Sequence, residues 1–213
     1  MKETEIILIR HGETEWNSQL RMQGHSNSAL SAVGRGQIQA LGEWMKKVSF
    51  AHIYSSDSLR ARQTAEAITQ YSGDTLQFDQ RIREKNLGVF EGLTSIEARE
   101  QFPEIYRLFK TGGANYVIDE GESTQQVLDR ALEFIEEIRL RHPEQRVVMV
   151  THGGVVRVLM KHTLGLSLDA PTSFLIKNTG IFRLVWNEKW LVSQMDVVSH
   201  LEKLNDSALS VMC

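Results

Sequence analysis

Four apolar residues in a row, Ile6 to Ile9, stop at Arg10-His11-Gly12. A strand with one wet face alternates apolar and polar residues. An unbroken apolar run of this length reads instead as a strand covered on both faces. A second run of the same kind, "RVVMV", stops at Thr151-His152-Gly153-Gly154. In an open parallel α/β sheet, ligands bind at the carboxyl ends of the strands. Both runs therefore deliver a histidine and a glycine to the edge where a ligand belongs. A fork of donors, an imidazole and a residue without a side chain at one strand end suit an anion.

The rest of the chain alternates in the way such a sheet requires. Helical spacing predicts helices over 32–48, with Ser31 as N-cap, and over 59–71. A third is predicted after Ser123, whose pairing with Gln126 reads as a capping box and whose end falls at Pro143. A fourth is predicted over 155–164. His52–Ser55 reads as a short strand, and Phe182–Trp186 with Trp190–Asp196 as late strands joined by a hairpin across 187–189. Strand–helix alternation predicts an α/β fold with a mostly parallel, doubly covered sheet. No repeat, linker or boundary interrupts the 213 residues, so one domain is expected. The looser stretch 86–121 reads as an insertion over the site. Trp44 and Trp186 are expected in the core.

Composition narrows the function classes. The net charge of −3 gives no basic surface for nucleic acid or anionic lipid. The one cysteine, Cys213, cannot form a disulfide framework or a thiolate metal site, which suits a reducing cytoplasm. The start "MKETEIILIR" has an apolar run too short for a signal peptide or a membrane span. The expectation is a cytoplasmic protein with no membrane or nucleic-acid partner.

A third element, "YSSDSLRARQTAEA", brings Arg60 to the start of a helix that follows a strand, and so to the same edge. Taken singly, each residue has a bland explanation. Arg-His turns are common, Arg60 or its rival Arg62 could be a solvated helix arginine, and Glu84 sits in a charge run. Taken together, two strand-end histidines and an arginine at one edge point to a phosphate site.

The segments "LIRHGETEWN", "SSDSLRARQTAE", "REKNLGVFEG", "GEST" and "VTHGGVVRVL" follow one another as they do in the histidine phosphatase superfamily, the phosphoglycerate mutase-like family. The resemblance runs from Glu5 to about Leu201 and omits only the tail 202–213. It implies a three-layer α/β/α fold and a phosphohistidine intermediate, with no metal and no cofactor. His11 matches the nucleophile, Arg10 and Arg60 the phosphate clamp, His152 the second pocket histidine and Glu84 the general acid–base. Gly12 and Gly153 match positions where backbone approaches the phosphoryl group. Asn17, Arg21, Gln23 and Gly24 match substrate contacts. Ser123 matches another, although an N-cap role already explains it. His25, His52, His142, His162 and His200 match no role and read as surface or packing residues. Glu13 reads as a supporting hydrogen-bond partner.

The resemblance leaves three readings of function. A phosphatase passes the phosphoryl group to water, a mutase returns it to a hydroxyl, and a non-catalytic relative only binds phosphorylated ligands or serves as a scaffold. The complete pocket set weighs against the third. Mutases resembling this family carry a longer basic insertion, whereas "QFPEIYRLFKTGGANYVIDEG" offers only Arg107 and Lys110. The expected function is hydrolysis of a small-molecule phosphate ester, its identity open and a homodimer left open. Phe102, Tyr106, Phe109 and Tyr116 either contact a leaving group or, with more weight, pack the insertion.

Overall fold

A computed structural model describes residues 3–72 and 75–202. In chain order the elements are β1 (Thr4–Arg10), α1 (Glu15–Ser18), α2 (Ala32–Met45), β2 (His52–Ser55), α3 (Leu59–Ser72), β3 (Leu76–Phe78), α4 (Ser95–Gln101) and α5 (Pro103–Thr111), then α6 (Thr124–Arg141), β4 (Arg146–Thr151), α7 (Gly153–Thr163), β5 (Ile181–Asn187) and β6 (Lys189–Val197). One six-stranded sheet runs β3-β2-β4-β1-β5-β6. β3, β2, β4 and β1 are parallel, and β5 and β6 are antiparallel additions on the far side of β1.

The apolar runs explain the layers. Strand side chains alternate between faces. Ile6 and Leu8 therefore join Val147 and Met149 in a core beneath α6 and α7. Ile7 and Ile9 join Val148 and Val150 in a second core beneath α2 and α3. All eight residues are fully buried, and each such side chain is worth roughly 1.5–3 kcal/mol. The expected α/β/α sandwich is present. α6 begins at the Ser123–Gln126 capping box and α2 at a Ser31 cap. The late hairpin turns at Glu188, whose φ of 59° allows the tight reversal. Trp44 and Trp186 differ from expectation. Both are half-buried at the rims of the cores, and Trp190 is the buried tryptophan.

The segment 86–121 has structure of its own. α4 is opened by a Thr94–Glu97 capping box and α5 by Pro103 at its first turn. Phe90, Ala98 and Ile118 form a small third core, against which Phe102, Tyr106, Phe109 and Tyr116 pack. The rings therefore mostly hold this segment together. No helix of the described residues is long and apolar enough to cross a membrane. Of the tail, only Glu202 lies within the described residues.

Candidate active site

Parallel pairing of β1 with β4 sets Arg10 opposite Thr151, so His11 and His152 leave the sheet on the same rung. Their ring centroids are 5.1 Å apart. The Nδ1 of His11 lies 2.7 Å from the carbonyl oxygen of Gly12. A carbonyl only accepts, so Nδ1 carries the proton and Nε2 keeps its lone pair. That Nε2 accepts from Nε of Arg60 at 3.3 Å. Burial, then Arg60, then Arg10, hold the His11 pKa well below that of an ordinary histidine. The ring is therefore neutral at neutral pH, with its free nitrogen beside two arginines.

The arginines are fixed in place. Arg60, on the first turn of α3, is buried and donates to the carbonyls of Ser26 and Gly24. Burial brings its pKa down to about 10, which leaves it charged at pH 7. The Glu91 carboxylate in turn accepts from the amides of His25 and Ser26, which tightens the same loop. Arg10 donates through Nη1 to the Ile176 carbonyl, while its buried Nε has no partner. Two further unpartnered buried polar atoms belong to this neighbourhood, Nδ1 of His152 and Oε1 of Gln23. The other ring nitrogen of His152 meets Oγ of Ser56 at 2.9 Å. Of these unpartnered groups the Nε–H of Arg10 is a donor, and a buried unpaired donor costs about 1–3 kcal/mol, a cost that a bound anion removes.

Glu84 follows the turn Gln80–Ile82. Its Oε1 accepts from the amide of Lys85 and its Oε2 from the amide of Gly154, at 2.8 and 3.0 Å. A Cβ on Gly154 would overlap Oε1 of Glu84. Gly154, which the sequence reading passed over, is thus the glycine that makes room for the carboxylate. Gly153 lines the cavity, and a Cβ there would make only ordinary contact with Arg10. Gly12 serves packing. Its amide donates to Thr64, and a Cβ would press on Ile38 of α2, so its missing side chain faces a helix and not the cavity.

A cavity of about 420 Å³ opens over these groups and brings together Arg10, His11, Asn17, Gln23, Gly24, Arg60, Glu84 and Gly153. Arg21 also borders it, but its guanidinium is committed to Glu97 and the Gly92 carbonyl. Ser123 is occupied as the α6 cap. From the 86–121 segment come Leu87, Ser95, Phe109 and Lys110, while Arg107 pairs with Glu104 on an exposed face. Lys85 and Arg157 add positive charge at the wall, a feature the sequence reading missed because Lys85 sits in a charge run that reads as a solvated loop and Arg157 in an apolar helix. His25 packs against the same loop, with its Nε2 2.9 Å from the Glu84 carbonyl. Glu13 takes the expected supporting role by accepting from Ser31. Among the described residues no group of three or more His, Cys, Asp or Glu could hold a metal ion.

A neutral, oriented imidazole between arginines at the edge of a three-layer α/β sheet places the protein in the class of histidine phosphatase-type enzymes. The chain belongs to the histidine phosphatase superfamily (branch 1), whose model matches residues 6–195. It is 36% identical to phosphoglycerate mutase-like protein 4 of Arabidopsis thaliana, over 93% of this chain and 87% of that one. It resembles the solved structure of Bacillus stearothermophilus YhfR at 35% identity and a TM-score of 0.85, covering 93% of this chain and all of the other. It also resembles a mycobacterial glucosyl-3-phosphoglycerate phosphatase solved with VO3, at 28% identity and a TM-score of 0.80, over 91% and 99% of the two chains.

Proposed function

We propose that the protein is a cytoplasmic phosphomonoester hydrolase that acts on a small phosphorylated metabolite through a phosphohistidine on His11. The observation that carries this reading is the state of His11, with the Nδ1 proton tied to the Gly12 carbonyl and an unprotonated Nε2 facing Arg60. Nε2 attacks phosphorus and the P–O bond to the leaving group breaks. The Gly12 carbonyl then faces the N–H of a ring that has become cationic. Arg10, Arg60 and His152 meet the phosphoryl oxygens where charge accumulates. Glu84 gives its proton to the departing alkoxide and afterwards takes one from water, which attacks the phosphohistidine and releases inorganic phosphate. The two arginines supply the positive charge that a divalent ion supplies elsewhere.

Hydrolysis is favoured over mutase chemistry because Arg107 and Arg21 are both spent on carboxylates away from the reacting atoms. Lys85, Lys110 and Arg157 at the cavity wall favour a leaving group that is itself acidic. Phosphate release from a panel of esters, with 3-phosphoglycerate included and its isomer followed in parallel, tests the reading. Release that persists with a chelator and stops in His11→Ala is the expected result. Rapid-quenched protein should carry phosphate in a bond labile to acid and stable to base. Faster appearance of 2-phosphoglycerate than of phosphate would replace hydrolase by mutase. Label on a residue other than His11 would end the mechanism.

A further inference from the structure

The "GEST" segment is one of the sequence motifs that the chemistry above leaves without a task, since Ser123 only caps α6. Its glutamate is different. Glu122 binds Arg130, two turns along α6, in a two-pronged pair with both contacts at 3.0 Å. Arg130 also donates through Nη1 to the carbonyls of Arg81 and Arg83 at 2.7 and 2.6 Å, and through Nη2 to that of Glu84 at 2.9 Å. A guanidinium has five N–H groups. All five are used, three of them on successive parts of the loop that carries Glu84. Glu122 holds the same loop from the other side, where its Oε2 accepts from the amide of Asn86 at 2.8 Å. His25 adds a second contact to the Glu84 carbonyl.

We propose that Arg130, oriented by Glu122, is a positioning residue for Glu84 that fixes the carboxylate at the height of the leaving-group oxygen. The inference rests on the reading of Glu84 as proton carrier. The physical case is the contrast between loop and clamp. The segment 83–87 lies outside any helix or strand, so no helical or sheet ladder fixes the main chain from which the Glu84 side chain projects. α6 is a long helix packed into the core, and Arg130 transfers that rigidity to three carbonyls. The guanidinium does not border the cavity, so substrate contact plays no part in its role.

The test compares wild type, Glu84→Gln, Arg130→Met and the double variant on a simple alkyl phosphate and on nitrophenyl phosphate. The quantity is kcat/KM, which reports transfer to His11, together with the phosphoenzyme burst. Misplacing a catalytic group by an ångström can cost about 100-fold. Arg130→Met should therefore lower kcat/KM for the alkyl ester about 10- to 100-fold more than for the nitrophenyl ester, whose phenolate leaves without a proton. It should also raise the burst. In the Glu84→Gln background the same change should cost less than about threefold, because the group it positions is already gone. Arg130→Lys, which keeps the charge but cannot fork, should recover little, and Glu122→Gln should give the same pattern more weakly. The Glu122 variant also serves if Arg130→Met does not fold. Equal losses on both esters, or losses that add in the double variant, would reduce Arg130 to a structural residue and overturn the proposal. If Glu84→Gln itself ignores the leaving group, the underlying reading of Glu84 falls and takes the clamp's role with it.

Discussion

The Nε of Arg60 points at Nε2 of His11 across 3.3 Å, on the ring edge opposite the bond from Nδ1 to the Gly12 carbonyl. An arginine donor and a main-chain acceptor thus select one tautomer from the two sides of one ring.

That arrangement predicts how His11 titrates. Burial and the two arginines disfavour the imidazolium, so the folded pKa lies well below 6.5. Side-chain nitrogen NMR should show His11 as the Nδ1–H tautomer, unchanged between pH 8 and about 5.5, a range in which an unperturbed histidine titrates. A ring that protonates with a midpoint near 6.5, or that carries its proton on Nε2, contradicts the proposed nucleophile.

Arg60 and Arg62 sit two residues apart and should behave as opposites. Arg60 is buried and grips two carbonyls, whereas Arg62 pairs with Glu66 on an exposed face. Arg60→Lys replaces a planar fork by a point charge and should lower kcat/KM by about 100-fold. Arg62→Ala should change it by less than about twofold and stability by under about 1 kcal/mol. A similar loss in both variants would mean that the helix, not the guanidinium, matters.

Much of this could be read from the chain, and what could not has a physical reason. The continuous runs at Ile6–Ile9 and 146–150 announced strands buried on both faces, and the paired His-Gly endings announced the site edge. β3 went unseen because three half-exposed residues, Leu76–Phe78, carry no periodicity. α4 and α5 were missed because they are only seven and nine residues long and meet at Phe102-Pro103, which breaks the helical spacing between them. The contacts of Glu84 with Gly154, Arg21 with Glu97 and Arg130 with the loop 81–84 join residues 46 to 76 positions apart. Nothing local marks such pairs. The side chain that Gly12 makes room for, that of Ile38, is likewise distant in the chain.

Gly154 offers a substitution that reaches Glu84 without altering any ionisable group. A methyl at this position overlaps the carboxylate, which must then move or give up the Gly154 amide. Gly154→Ala should therefore cut the alkyl-ester rate about 100-fold, on the scale of a lost general acid. It should leave the melting temperature within about 4 °C, which corresponds to roughly 1 kcal/mol for a chain of this size. A variant with wild-type rates on alkyl esters would show that the carboxylate need not sit where it does.

Acid should weaken the fold through buried histidines before it weakens it through carboxylates. His200 is buried with Nε2 on the Thr179 hydroxyl, and burial lowers its pKa to about 4. Burial lowers His11, His152 and His142 as well. Below the unfolded value near 6.5 the unfolded chain gains protons that the folded chain does not, so stability falls as pH drops from 6.5. The His200 share of that fall continues to about pH 4, while Asp57, Asp79 and Glu122, held below their usual values of 3.8, 3.8 and 4.5 in the fold, add their loss as the pH drops through those usual values. Melting temperatures should decline from pH 7 to 5, less steeply in His200→Gln. A flat profile, or one that His200→Gln leaves unaltered, would contradict the assignment.

The rung shared by Arg10 and Thr151 has an evolutionary consequence. Slipping one strand by a single residue turns every side chain to the opposite face. The distance between the two imidazoles is therefore inherited from main-chain geometry and cannot drift without dismantling both cores. Lys110 answers to no such constraint, because it hangs on a helix outside the sheet. Selection can exchange it at little cost, so a lineage built on this scaffold can diversify in what it accepts before it alters what it does.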